Sequence, residues 1–285
     1  MESIGIIFVD GIVIGSSTLL LALGLSLIFG VLAVVNVAHG ALFTIGAFVA
    51  YFICTKLGIH FLAALFIAFV IGFVIGSIVE KAVFFPLRND VLGAVIASFA
   101  LTFVIEVLLG KSFGLGLKGV SPMIRGTLRL GAISIDGQRL LIIAGAAILS
   151  AALIIFVHRS KIGRAIRAVA QNSELGLLSG INISFVRLVT LGIGVSFAMV
   201  AGVLMSPVSY IDPYIGGALL MQAFAAIILG GLGSIYGAVL GSVVVGFLLA
   251  IGLFFAGAWA YNVLFGAIVL VLVIRPQGII PFESV

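Results

Sequence analysis

Charge is what this sequence most lacks: across 285 residues there are 14 Lys and Arg and 9 Asp and Glu, only 8% of the chain, against 64% apolar residues. A soluble domain carries about a quarter charged residues, so there is too little polar side chain here to coat a water-facing globule. A soluble enzyme, a nucleic-acid-binding domain and a secreted scaffold are thereby excluded. Cysteine is also nearly absent. Cys54 stands alone, which rules out an intrachain disulfide, and in an apolar run it reads as an inert buried thiol. Metal ligation is not expected either, because no Cys, Asp or second His lies at ligand spacing from His39. Met1-Glu2-Ser3 carries no basic n-region, so the first apolar run reads as a retained span rather than a cleaved signal peptide.

What is present is apolar sequence in lengths that fit a bilayer. Mean hydropathy is +1.47, and a span needs about 20 apolar residues. Ile4 to Tyr51 is too long for one helix and reads as two, broken around Asn36-Val-Ala-His39-Gly40. Further spans are expected at Phe61–Val79, Val91–Leu109, Leu140–Val157, Leu188–Met205, Ser234–Phe255 and Tyr261–Ile274. Leu219–Leu229 is short for a crossing and is a candidate re-entrant segment. The expected fold is an all-α polytopic membrane protein with eight to nine transmembrane helices, some discontinuous or re-entrant, forming a single domain over 1–285.

The loops set the orientation. Loops 80–90 and 158–187 hold seven Lys and Arg on one side, while Lys56 and loop 110–139 hold six on the other. The bare tally is indecisive, but Arg159, Lys161, Arg164 and Arg167 crowd the end of the fifth span, where basic residues weigh most. Loop 158–187 is therefore placed in the cytoplasm, with the N-terminus outside if there are nine spans.

That loop is the most informative segment. Ile162, Ala165, Ile166, Val169 and Ala170 recur at helical spacing, with Lys161, Arg164 and Arg167 away from that face. Asn172 or Ser173 can cap a second short helix, Glu174 complements its dipole, and Gly180 stops it. The loop either fixes topology alone or docks a cytoplasmic partner, and the separately capped second helix favours docking.

Within the spans, Ser98, Thr102 and Glu106 fall four residues apart on one helix face. A carboxylate in a span normally faces a bundle interior or an aqueous path, so this stripe is a candidate translocation path. Gly233, Gly237 and Gly241 form a small-xxx-small pattern explained by close helix packing. Gly40-Ala-Leu-Phe43 and Gly233-Ser-Ile-Tyr236 form a weak internal echo. Gly110-Lys111-Ser112 lacks the glycine that a phosphate-binding loop needs five residues earlier, since Ile105 stands there. No nucleophile elbow is present, and few carboxylates in the spans argue against a proton- or sodium-coupled carrier.

Three blocks resemble branched-chain (hydrophobic) amino acid ABC transporter permeases: Gly24-Leu-Ser-Leu-Ile-Phe-Gly30 through Asn36-Val-Ala-His39-Gly40 to Gly46, Arg167 through Glu174 to Gly180-Ile-Asn, and Leu229-Gly-Gly-Leu-Gly-Ser-Ile-Tyr-Gly through Gly241. The resemblance is to the shorter of the two permease subunits. It implies a non-catalytic subunit of an ATP-driven importer in a bacterial or archaeal inner membrane. The implied partners are a second homologous permease or a homodimer mate, two cytoplasmic ATPases carrying ATP and Mg, and an extracytoplasmic solute-binding protein. This chain would bind no cofactor and no nucleic acid. With such machinery, a translocation path is expected at Asn36, His39 and the Ser98, Thr102 and Glu106 stripe, and ATPase coupling at Arg164, Arg167, Glu174 and Gly180. The Glu174–Gly180 spacing fits the Glu-Ala-Ala…Gly motif of importer permeases, with Leu175-Gly176 in place of the alanines; glycine costs a helix roughly 1 kcal/mol against alanine. The resemblance leaves, as the alternative, the same machinery moving urea, short amides or other small polar solutes. A stand-alone channel or ion-coupled carrier is the reading from a different class.

Overall fold

The computed structural model describes residues 2–130 and 133–280; the Met1 start of the first apolar run lies outside them. In chain order the elements are α1 (Glu2–Leu32), α2 (His39–Ala50), α3 (Phe61–Val79), α4 (Val91–Phe113), β1 (Thr127–Leu130), β2 (Ile133–Asp136), α5 (Gly137–Arg159), α6 (Lys161–Gln171), α7 (Ser173–Leu178), α8 (Ile183–Met205), α9 (Gly216–Gly230), α10 (Ile235–Ala256) and α11 (Ala260–Ile274). α2 and α3 each run on as a π-helical turn, over Tyr51–Lys56 and Glu80–Phe84.

Among the described residues, seven helical stretches are long and apolar enough to cross a membrane. The last, Ile235–Ile274, is two helices, α10 and α11, and the chain reverses between them at Gly257, whose φ of +52° only glycine adopts cheaply. Gly252 lies against Ala260 across that turn. α9 has 15 residues, which at about 1.5 Å per residue falls short of a 30 Å hydrocarbon core. One departure from an all-helical chain is the β1–β2 hairpin, antiparallel with Thr127 opposite Asp136. The expected 110–139 loop therefore contains a small sheet.

The membrane-spanning helices are apolar on all sides, so burial and not amphipathicity sorts them. α1 and α8 form the centre, with 72% and 83% of their apolar windows buried, and α4 is peripheral at 17%. The packing is a swapped pattern: α1 packs on α10 as α8 packs on α3, and α1 meets α9 as α8 meets α2. α1 also contacts α8 directly, and α2 contacts α9. The contacts thus match α1, α2 and α3 with α8, α9 and α10 in turn. Across this pattern α2 faces α9, with Gly40 against Gly216.

Backbone proximity holds this centre together, as expected where lipid supplies no hydrophobic drive between helices. A Cβ on Gly46 of α2 would overlap the Met199 carbonyl of α8. The small-xxx-small run behaves as its spacing predicts, with Gly237 on Gly230 and Gly241 on Ala226.

Candidate functional site

α1 ends at Leu32, and the chain turns at Ala33 with φ +53°. That left-handed conformation costs an L-residue roughly 1–2 kcal/mol. Residues 34–38 then run back into the bundle without helical structure, and α2 begins at His39. Its depth is fixed by Gly24 of α1 and Gly194 near the midpoint of α8: a Cβ on Gly24 would stand 2.6 Å from the Gly194 carbonyl oxygen and 2.9 Å from His39 Nε2. α9 begins against the same place, with Gly216 on Gly40 and the Gly216 N–H donating to Thr44 Oγ1 at 3.1 Å. Two helix starts thus meet at the middle of the bundle.

The polar groups there are unusual. Asn36 and His39 are both fully buried, and neither the Asn36 amide nor the His39 ring makes a hydrogen bond. His39 approaches the Leu21 backbone without reaching hydrogen-bond geometry. A buried polar group left unpaired costs about 1–3 kcal/mol. Ser98 ties this loop to α4: its Oγ accepts from the Val37 N–H at 3.1 Å and donates to the Val95 carbonyl at 2.7 Å. Thr102 donates to the Ser98 carbonyl at 3.0 Å, and Glu106 lies a further turn along α4, half-exposed. The structure thus brings Asn36, His39 and Ser98 together, while Thr102 and Glu106 follow along α4.

One end of the bundle carries α6 and α7. Ser160 Oγ caps α6 by accepting from the Gly163 N–H at 2.8 Å. Ile166 and Val169 are buried, while Arg164 and Arg167 are exposed. Asn172, not Ser173, caps α7: its Oδ1 accepts from the Glu174 and Leu175 N–H groups, both at 3.0 Å. Gly180, at φ +77°, ends the helix, with the Ile181 N–H donating to the Gly176 carbonyl. Glu174 is exposed, as are Leu175, Leu177 and Leu178 at 60%, 63% and 83%. Between α6 and the bundle lies a cavity of about 110 Å³, bordered by Ser26, Gly30, Ile166, Arg167 and Gly233. The buried Ser26 hydroxyl makes no hydrogen bond.

One important pair escapes the sequence reading. Glu80 falls in the expected polar patch after the third span, and Arg187 among the loop charges. In the structure Glu80 sits in the π-helical turn below α3, with its side chain 2% exposed, and Arg187 Nε of α8 donates to Glu80 Oε1 at 2.6 Å. Glu80 Oε2, Ser77 Oγ and Thr190 Oγ1, all buried, have no partner. The pair joins α3 to the first turn of α8, directly after α7. A carboxylate three residues after Ser77 and an arginine heading a span were the available signals. Asp10 of α1 pairs with Arg139 at the start of α5.

Residues 7–274 match the family described as "Branched-chain amino acid transport system / permease component". The chain is 31% identical over 288 residues to the high-affinity branched-chain amino acid transport system permease protein BraD of Pseudomonas aeruginosa, covering 95% of this chain and 94% of the relative. It is 31% identical to the high-affinity branched-chain amino acid transport system permease protein LivH of Escherichia coli K12, over 95% and 93% of the two chains. An archaeal relative, the probable branched-chain amino acid transport permease protein LivH of Methanocaldococcus jannaschii, is 28% identical over 83% of this chain and 78% of its own. No solved structure matches the chain. The match runs through the broken α1–α2 segment, the α6–α7 pair and the α9–α10 turn alike, and the chain belongs to the branched-chain amino acid transport permease family.

Proposed function

We propose that this chain is a non-catalytic permease subunit of an ATP-driven importer that moves branched-chain or related amino acids across a bacterial or archaeal inner membrane. Residues 1–285 act as one transmembrane domain with nine membrane-embedded helices, α9 entering only part-way. The N-terminus lies outside and the α6–α7 end faces the cytoplasm. Its partners are a second permease, two ATPases that carry ATP and Mg, and an extracytoplasmic solute-binding protein.

The observation that carries this reading is the uncovered apolar face of α7. Leu175, Leu177 and Leu178 are exposed beside Glu174, Arg164 and Arg167 on two firmly capped helices outside the bundle. An apolar face bordered by charge at a membrane surface suits a cleft on a soluble partner. Movement of that partner would pull on α6 and α7, and the Glu80–Arg187 pair would pass the pull to α3 and α8. ATP energy then enters as a difference in contact between two conformations, as coupling requires. The translocation path runs past Asn36, His39 and Ser98, with Thr102 and Glu106 continuing it along α4. In this conformation the packed helix starts at Gly40 and Gly216 close it.

Site-directed crosslinking tests the docking. Cysteines placed at Arg167, Glu174 and Leu178 in a Cys54→Ala background are expected to crosslink to the ATPase in native membranes, with yields that change on adding ATP. A control cysteine at Leu108, on the exposed face of α4, is expected to give none. Absence of a crosslink at every position over 164–180 would remove the docking assignment.

A further inference from the structure

At the end of the bundle away from α6 and α7 lies a second cavity, of about 260 Å³, between α1, the α8–α9 connection, α9, α10 and α11. Its polar lining is organised around Gln222, which is 8% exposed. Gln222 Oε1 accepts from Thr18 Oγ1 at 3.3 Å, and Gln222 Nε2 donates to Tyr261 Oη at 3.0 Å. Both ends of the amide are therefore fixed, and the Tyr261 hydroxyl keeps its own proton to donate. Ser17 and Ser209 add hydroxyls, and the remaining lining is aliphatic, including Ile14, Leu219, Leu249 and Leu253. Among the described residues, no Asp, Glu, Lys or Arg borders the cavity. The first turn of α9 forms one side through Ile215 and Ala218, so the cavity reaches the helix start that meets α2 at the bundle centre.

We propose that this Gln222–Tyr261 cavity is a solute-binding station that takes a net-neutral, largely aliphatic amino acid before it crosses the central constriction. The chemistry supports that class. An aliphatic wall with a few placed polar groups is how a small-molecule site obtains both affinity and orientation. A lining without compensating charge penalises a lysine or a glutamate, whose net charge would be desolvated unpaired. A zwitterion still has an ammonium and a carboxylate to desolvate, but the two attract each other, no net charge is left over, and the Tyr261 hydroxyl and the serines offer them hydrogen bonds. The inference rests on the reading of the chain as an amino acid importer permease and adds to it where the solute is held.

The test uses the complete transporter, purified with its ATPases and supplied with its binding protein. Tyr261→Phe and Gln222→Leu keep the shape of the cavity and remove hydrogen-bonding groups. In complexes that assemble as the wild type does, Tyr261→Phe is expected to slow leucine uptake about tenfold, the effect of one lost hydrogen bond, and Gln222→Leu, which takes partners from both Thr18 and Tyr261, at least as much. Separately, Ser209→Cys in a Cys54→Ala background is expected to react with a small thiosulfonate reagent, and excess leucine, but not lysine, to slow that reaction. Wild-type uptake in both variants, or labelling indifferent to leucine, would overturn the station while leaving the importer reading in place. Failure of the wild-type complex to import any branched-chain amino acid would overturn that reading, and the station with it.

Discussion

Replacing Gly216 by valine is expected to leave no correctly assembled permease. A Cβ at this position would overlap the Gly40 carbonyl oxygen and stand 2.6 Å from Thr44 Oγ1, the acceptor of the Gly216 N–H. The obstructing atoms are largely backbone at the start of α2, which cannot rotate away as a side chain would. α2 is itself pinned to α8, where Gly202 would meet the Phe43 carbonyl if it carried a Cβ. Relief requires α9 or α2 to move as a body, which would open the centre of the bundle. Forcing extra atoms into a packed core costs about 1–3 kcal/mol where side chains can give, and here they cannot. The neighbouring Gly217 is exposed with no atom within 4 Å of an added Cβ, so Gly217→Ala should stay within roughly 0.5 kcal/mol of the parent. Size-exclusion profiles and thermal unfolding in detergent would separate the two. Equal behaviour of the two variants would show that α2 and α9 do not meet as described.

Breaking the Glu80–Arg187 pair should have the next largest effect. With side chains 2% and 12% exposed and an Nε–Oε1 distance of 2.6 Å, removing either partner leaves an uncompensated charge inside the bundle. Such a loss costs about 3–5 kcal/mol, whereas replacing both charges by apolar side chains of similar volume is often neutral. Glu80→Met and Arg187→Met are therefore each expected to destabilise severely, and the double variant to recover most of the loss. A double-mutant cycle on detergent-solubilised protein reads this directly; additive losses would mean that the two groups do not act as a pair. If the double variant is folded, it also reports on coupling. The pair is the charged link between the α7–α8 junction and α3, so folded protein with ATP hydrolysis that no longer drives uptake is the expected phenotype.

Much of this architecture was legible in the sequence, for local reasons. The break before His39, the cap at Asn172, the stop at Gly180 and the packing of Gly237 and Gly241 each depend on residue types within a few positions of one another. α6 is legible because one face meets water and the other the bundle, so its pattern carries a helical period. In the spans that contrast vanishes, since lipid and protein interior are equally apolar. Periodicity could put Ser98, Thr102 and Glu106 on one face, but not say that Ser98 would bond Val37 while Glu106 stayed half-exposed. The Glu80–Arg187 and Thr18–Gln222 contacts join residues 107 and 204 positions apart. Nothing near either residue announces the other. Glutamine and tyrosine in an apolar run read as ordinary packing until the fold gathers them around a cavity.

The central claim is that conformational work done by partner ATPases moves a solute through this chain. Its most direct test is uptake of radiolabelled leucine by proteoliposomes containing this permease, its partner permease and the two ATPases, with the leucine-loaded binding protein outside and ATP on the ATPase side. Accumulation above the external concentration, abolished when ATP is replaced by a non-hydrolysable analogue, is the predicted result. Leucine equilibrating through this chain alone, without ATP and without the binding protein, would contradict the account and identify a channel or carrier.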